Sequence, residues 1–380
     1  VTAGRAVVIV GGGVIGSSLA RELAGRGNAV TVIERAEPGF EASGAAAGLI
    51  APQAEGLPHG PLFDLAAASR DLYPGLAAEL EEETGIDVGW KRKGVLRVFL
   101  SGGEDAGRYR WQREAGLAVE RVERKRIEEI TGGAASSDAQ SGLFFPEDGI
   151  VDPRKLTRAL WISAERRGVR YRLGTSARRL RVLSGQCRGV ETDRGEFDCD
   201  AVVDATGAWA AFDPEAPSVR VEPVRGQIVD LRPAGAMLPC VVESEDAYLV
   251  PRDDGSLLVG STEERAGFRK EVTAGAVRDL IAAACRLVPA LALARFAGAW
   301  AGLRPGSADG LPVLGESALP GLFFAAGHFR NGILLAPVTA RLMSAALEGS
   351  PPPELKFFSP NRFSAGGESR MEEGAGRLFG

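Results

Sequence analysis

Val7-Val8-Ile9-Val10 is a short apolar run that breaks into Gly11-Gly12-Gly13 before apolar positions resume at Val14, Ile15 and Leu19. A brief continuous run, then glycines, then helical spacing predicts a buried strand, a tight turn and a helix. Ala29-Val30-Thr31-Val32-Ile33 repeats the strand pattern and ends at Glu34, so residues 6–34 read as a β-α-β unit. Leu65, Leu72, Leu76 and Leu80 fall at helical spacing between Phe63 and Glu83, and Thr84-Gly85 closes that helix. Residues 94–100 predict a strand, and 104–131 a charged helical region. Asp152 and Pro153 supply an N-cap and first position for a helix near 153–167, which runs through Gly168 into another strand.

Residues 188–206 read as a β-hairpin rising to Ala201-Val202-Val203-Asp204-Ala205-Thr206-Gly207, and 220–300 is richer in strands, at 226–231, 247–250 and 256–260. Leu322-Phe323-Phe324-Ala325-Ala326-Gly327-His328 is again a strand entering a glycine turn, with a final helix from Asn331. The expected fold is α/β: a Rossmann-like nucleotide-binding domain from 1–84, 146–219 and 297–362, with an inserted α+β substrate domain built on an antiparallel sheet, from 85–145 and 220–296. The Gly- and charge-rich end, 363–380, reads as a disordered tail.

Composition narrows the choice of chemistry. A chain of 380 residues with 45% hydrophobic and 25% charged residues is that of an ordinary soluble protein with ample core. Its net charge of −5 lacks the basic footprint expected for nucleic acid or an anionic membrane. No apolar run reaches the roughly 18 residues needed to span a bilayer, and no basic stretch followed by a signal-like apolar core opens the sequence, so the expected location is cytoplasmic. Cys187, Cys199, Cys240 and Cys285 show no CxxC spacing, and His59 and His328 are the only histidines, which disfavours a metal site, a disulfide framework or a Ser-His-Asp triad.

The opening segment carries the clearest chemistry. Gly11 suits the tight turn, Gly13 the approach of phosphates and Gly16 close packing of helix on strand, while the uncapped helix start suits a pyrophosphate. Glu34, eighteen residues beyond Gly16, is placed to accept ribose hydroxyls. The small residues from Ala42 to Pro52 suit a flat cofactor against the backbone, and Thr206 and Gly207 end a buried strand where doubly wound folds bind ligands. Asn331 opens a second helix start aimed at the same face.

Four further strings, Ala46-Ala47-Gly48-Leu49-Ile50-Ala51-Pro52-Gln53, Pro223-Val224-Arg225-Gly226-Gln227, Trp300-Ala301-Gly302-Leu303-Arg304-Pro305 and Gly327-His328-Phe329-Arg330-Asn331-Gly332-Ile333-Leu334-Leu335-Ala336-Pro337, make the chain resemble the D-amino-acid-oxidase superfamily of flavoenzymes over nearly its whole length, and most closely its glycine oxidase (ThiO-type) branch. The resemblance implies non-covalent FAD. Val14, Ile15, Glu34 and Arg35 would hold its pyrophosphate and adenosine end, Ala177 would meet adenine, and Ala42, Ser43, Ala47, Gly48 and Leu49 would line the ribityl and ring region. His328, Phe329, Arg330, Asn331, Gly332, Ile333 and Leu334 would close over the flavin. Arg304 would clamp a substrate carboxylate with help from Tyr248, with Arg330 on the active-site side of the ring.

The implied reaction is oxidative deamination of glycine, sarcosine or small D-amino acids, with dioxygen as acceptor, hydrogen peroxide as product and a role in thiamine thiazole synthesis. A family tetramer is the implied assembly. Each residue also has a structural alternative: Arg304 as an ordinary ion pair, Tyr248 as sheet surface, His328 as a satisfied polar group rather than a base, and Trp209 and Trp300 as packing. Glu263 departs from the resemblance, since an apolar residue is expected there; it would either point outward or face the substrate. A dehydrogenase with another electron acceptor, a sarcosine oxidase-like enzyme, an NAD enzyme and a non-catalytic nucleotide-binding protein are the competing readings.

Overall fold

The computed structural model describes residues 4–100, 105–215, 217, 219–235 and 237–363. Two sheets organise it. The first has six strands in the order Val313–Glu316, Leu322–Ala326, Ala201–Asp204, Ala6–Val10, Ala29–Glu34, Arg170–Leu173. All neighbours are parallel except the outermost pair, Val313–Glu316 against Leu322–Ala326. Val7, Val8, Ile9 and Val10 are all buried, as a central parallel strand covered on both faces requires. Helices Val14–Gly25, Pro61–Thr84, Pro153–Arg166 and Gly332–Leu347 pack together beside this sheet and share one apolar core with it.

The second sheet has eight strands in the order Arg295–Ser307, Val221–Arg232, Leu257–Gly260, Tyr248–Pro251, Val241–Glu243, Val95–Phe99, Ser141–Phe145, Glu120–Glu123. Its pairs are antiparallel apart from Val241–Glu243 with Val95–Phe99. Helix Ala274–Leu287 buries Leu280, Ala283, Ala284 and Leu287 against one face. The α/β class with a Rossmann-like sheet and an antiparallel-sheet region is the one expected.

Several local expectations need correction. The charged region 104–131 is not one helix: it divides into helix Ala106–Glu114, strand Glu120–Glu123 and helix Arg124–Thr131. Gly116, at φ 74, ends the first helix, and the strand buries Val122 while exposing its neighbours. The 188–206 hairpin is formed by Gln186–Thr192 and Gly195–Asp198, whereas Ala201–Asp204 leaves it for the parallel sheet. Helix Ala274–Leu287 and the long strand Arg295–Ser307 lie within or beside a stretch that had read as shorter strands. Residues 364–380 of the expected tail lie outside the described residues, and Phe363 packs against the core from a short final turn.

The helix side is also tied by charge. Glu83 receives hydrogen bonds from Arg21, Ser163 and Arg167, joining three helical segments. Burial would raise its carboxyl, but these donors outweigh burial and hold it down at about 2.

Candidate active site

One cavity runs from the glycine turn at Gly11 to Tyr248 and Arg304 on the second sheet. At its first end, Gly11 takes φ 108, and a Cβ there would overlap the Ala205 carbonyl; a Cβ on Gly16 would overlap the carbonyl of Gly11. The turn can therefore exist only with glycine at both places. Gly13 is the N-cap of the following helix and carries no side chain to close the first turn, while Val14 N donates to Ser43 Oγ at 3.0 Å. The Glu34 carboxylate is fixed by Gly12 N at 2.7 Å and Ala36 N at 2.8 Å, which orients its remaining lone pairs. Arg35 lies over the Trp209 ring at 3.9 Å and pairs with Glu41 at 2.7 Å.

The middle of the cavity is walled by small residues from Ala42 to Gly48. Their backbone is tied from outside: Trp300 Nε1 donates to Ala45 O at 3.0 Å, Arg154 Nε to Gly44 O at 2.9 Å, and Arg252 to Val151 O at 2.6 Å and to Ala47 O. Across the cavity, Phe329 sits at φ 47, its N–H donating to Pro305 O at 2.9 Å. His328 is buried, with Nε2 3.1 Å from Thr339 Oγ1. Burial draws its pKa down to about 3, which keeps the imidazole neutral at neutral pH and makes it a weak proton acceptor.

The second end is built by sheet register. Tyr248 pairs directly with Gly260, and its ring lies where a Gly260 side chain would stand. Gly226 pairs with Gly302 two residues from Arg304, and the guanidinium lies over Gly226 in the same way. Two glycines thus clear room for the Tyr248 and Arg304 side chains. Arg304 Nη1 donates to Thr262 O at 3.0 Å and Nη2 to Ser261 Oγ at 2.7 Å. Both partners are neutral, and among the described residues Arg304 has no carboxylate within ion-pair distance. Burial draws its pKa down, with the Arg330 charge adding to the effect.

Arg330 is differently placed: Glu55 Oε2 lies 3.5 Å from Nε, and Glu263 Oε2 lies 3.9 Å from Nη1. Glu55, foremost, raises its pKa. The segment carrying Glu55 is pinned behind by a buried network in which Asp148 accepts from Ala54 N at 2.9 Å and Arg70 donates to Gln53 at 2.9 Å. Burial pushes the Asp148 carboxyl up to about 7.

Of the residues expected at the site, Gly11, Gly13, Val14, Ile15, Glu34, Arg35, Ala42, Ser43, Ala47, Gly48, Leu49, Ala177, Thr206, Gly207, His328, Phe329, Arg330, Gly332, Ile333, Tyr248 and Arg304 line the cavity. Gly16 stands behind the turn, Asn331 is the buried N-cap of the last helix, and Leu334 is in the core with its carbonyl accepting from Ser69 Oγ at 2.6 Å. Glu55, Trp209, Gly226 and Ser261 line it without having been expected. Gly226 lay in a string already singled out, while Glu55 and Ser261 carry no local signal.

One segment reaches both ends. Between Gly260 and Thr273, Ser261 and Thr262 hold Arg304, and Glu264 joins Arg225 and Gln227. Farther along, the Phe268 ring packs tilted against Trp209 with centroids 5.3 Å apart and Lys270 reaches Glu41 at 2.8 Å.

A turn that requires glycine before a helix start without a side-chain cap, a fixed acid at the end of the second strand and a cavity leading to an arginine without a carboxylate partner among the described residues together fit a dinucleotide-dependent oxidoreductase. The family model described as FAD dependent oxidoreductase matches residues 6–346, and the chain belongs to that family. The glycine oxidase of Geobacillus kaustophilus is 38% identical over 349 residues, covering 90% of this chain and 92% of that protein. The crystal structure of glycine oxidase from the same organism superposes with a TM-score of 0.90 at 36% identity, covering 95% of this chain and 99% of that one. The bifunctional protein ThiO/ThiG of Trichormus variabilis is 37% identical over 94% of this chain, but the chain spans only 55% of its length.

The cavity fits FAD. It joins a pyrophosphate-type turn and ribose-type acid to a wall of small side chains, with overlap at any Cβ added to Gly11 or Gly16. Val14, Ile15, Glu34 and Arg35 would hold the adenosine diphosphate portion, and the 42–49 wall with 328–333 the ring system.

Proposed function

We propose that this chain oxidises small amino acids, glycine and sarcosine foremost, to the imino acid, using non-covalently held FAD and dioxygen, and that the imine serves the thiazole branch of thiamine synthesis. Arg304 carries the reading: a half-buried guanidinium at the far end of a cofactor cavity, held by neutral oxygens and without a carboxylate partner among the described residues. Such a group is poised for an anion brought by the substrate. Similarity to two glycine oxidases and to ThiO/ThiG proteins supports the same choice.

Bound FAD supplies the two-electron acceptor for the α-hydrogen as hydride, and dioxygen is the final oxidant, leaving as hydrogen peroxide. The protein's share is positioning. Arg304 takes the carboxylate, the Tyr248 hydroxyl fixes its rotation, and the small wall opposite admits a short side chain. His328, neutral and engaged with Thr339, is a poor proton acceptor. The amine therefore enters deprotonated or loses its proton to solvent through the mouth beside Glu55.

Anaerobic addition of glycine, sarcosine and D-alanine should bleach the flavin absorbance, and readmitted air should restore it with peroxide. Absence of bleaching by every one of these amines would overturn the proposal; bleaching without peroxide would replace dioxygen by another acceptor.

A further inference from the structure

Two arginines reach the substrate end of the cavity, and they differ in what already holds them. Among the described residues Arg304 is held by Ser261 Oγ and Thr262 O, with no carboxylate in ion-pair range. Arg330 faces two carboxylates, Glu55 at 3.5 Å and Glu263 at 3.9 Å. The Glu55 side chain is 12% exposed and lines the cavity, while the Glu263 side chain is 41% exposed and stands at the rim. The neighbouring Glu264 turns the other way, toward Arg225, Gln227 and Thr262, so it contributes nothing at the mouth.

We infer that Glu263 determines substrate charge: together with Glu55 it outweighs the charge of Arg330, so that the site accepts amines bearing one carboxylate and discriminates against amino dicarboxylates. The inference rests on Arg304 being the carboxylate clamp of the proposed oxidation.

The charge count carries the argument. Arg304 and Arg330 bring two positive charges, and Glu55 and Glu263 two negative ones. A monocarboxylate satisfies Arg304 and leaves Arg330 facing two carboxylates, so the mouth carries a net negative charge. A second carboxylate has no unpaired cation to meet and must approach two carboxylates at short range, where repulsion is only partly screened. Glu263 therefore acts through Arg330 and need not touch the substrate. Such discrimination works by making the wrong ligand unfavourable. Removing Glu263 leaves Arg330 shared with Glu55 alone and makes it available to a second anionic group. The pairs at the rim are exposed, so the effect is moderate and sensitive to salt.

The test uses the FAD-loaded protein and reads binding, not turnover. Acetate and malonate are titrated at neutral pH against the flavin absorption spectrum, in the parent and in Glu263→Gln. The ratio of malonate affinity to acetate affinity should rise about fivefold to tenfold in the variant. It should fall back in Glu263→Gln/Arg330→Gln, and the gain should shrink at high salt. The kcat/KM ratio of D-aspartate to D-alanine should follow, mainly through KM. An unchanged malonate-to-acetate ratio, or a gain that survives loss of Arg330, overturns the inference. If acetate binds but no amine bleaches the flavin, the proposed oxidation falls while the titration still decides the role of Glu263. If neither acid binds, the Arg304 clamp fails and both readings fall together.

Discussion

The two ends of the cavity recognise their ligands by opposite means. At the nucleotide end the working parts are backbone and absent side chains: Gly11 and Gly16 allow the turn, Gly13 leaves the helix start open, and Glu34 is locked by two backbone N–H groups. At the end proposed for the substrate long polar and charged side chains come from four separate segments, with Glu55, Tyr248, Arg304 and Arg330 brought together by sheet register and by the turn at Phe329. The first end is specified by what cannot be added. The second is specified by charge and reach, so it can change its ligand without changing the fold.

That contrast can be broken or sharpened by substitution. Gly16→Val should have the largest effect, because its side chain meets the Gly11 carbonyl within a fixed turn. A cost of at least about 3 kcal/mol and loss of bound flavin are expected, read by thermal unfolding and flavin content; parental FAD affinity would show that the nucleotide end tolerates more than the contrast allows. Arg304→Ala should leave flavin bound but lower kcat/KM for glycine by about 100-fold to 1000-fold, roughly 3–4 kcal/mol of lost substrate and transition-state binding. Arg304→Lys should recover little of it, since a point charge lacks the planar fork.

Acid should weaken the helix side. The Glu83 carboxyl is held near 2 instead of 4.5, so its contribution is complete above the unfolded value and is lost as pH falls from about 4.5 toward 2. The slope of stability against pH in that window should flatten in Glu83→Gln, as denaturant unfolding at several pH values would measure. The smallest effect is expected for Gly226→Ala, whose methyl would displace the Arg304 guanidinium. A rise in KM of about tenfold with unchanged flavin binding would mark the glycine as part of the substrate end; unchanged KM would remove it from that role.

The same contrast explains what could be read from the sequence. The nucleotide end lies within 34 residues, and each glycine there answers a local backbone need, so strand, turn, helix and acid are legible in one pass. Arg304 was found because its string resembles a family pattern, not because its surroundings announce an anion site. Its strand, Arg295–Ser307, escaped notice since Gly298, Gly302, Pro305 and Gly306 weaken the strand pattern, and twelve paired positions on Val221–Arg232 supply what local preference does not. Glu55 was invisible for a related reason: its place depends on Asp148, Arg70 and Gln112, none of them near it in sequence. Trp209 had read as packing, yet it stands in the cavity wall beneath Arg35. Glu263 had two possible directions, and only the folded chain turns it to Arg330 at the rim.

The segment from Gly260 to Thr273 grips Arg304 at one extremity and Trp209 and Glu41 at the other. For an engineer it is a shared hinge pin rather than a free loop. Libraries aimed at new amines through positions 261–264 should also be checked for flavin retention, because the same segment continues to the wall at Trp209, so colour is the screen to run before rate.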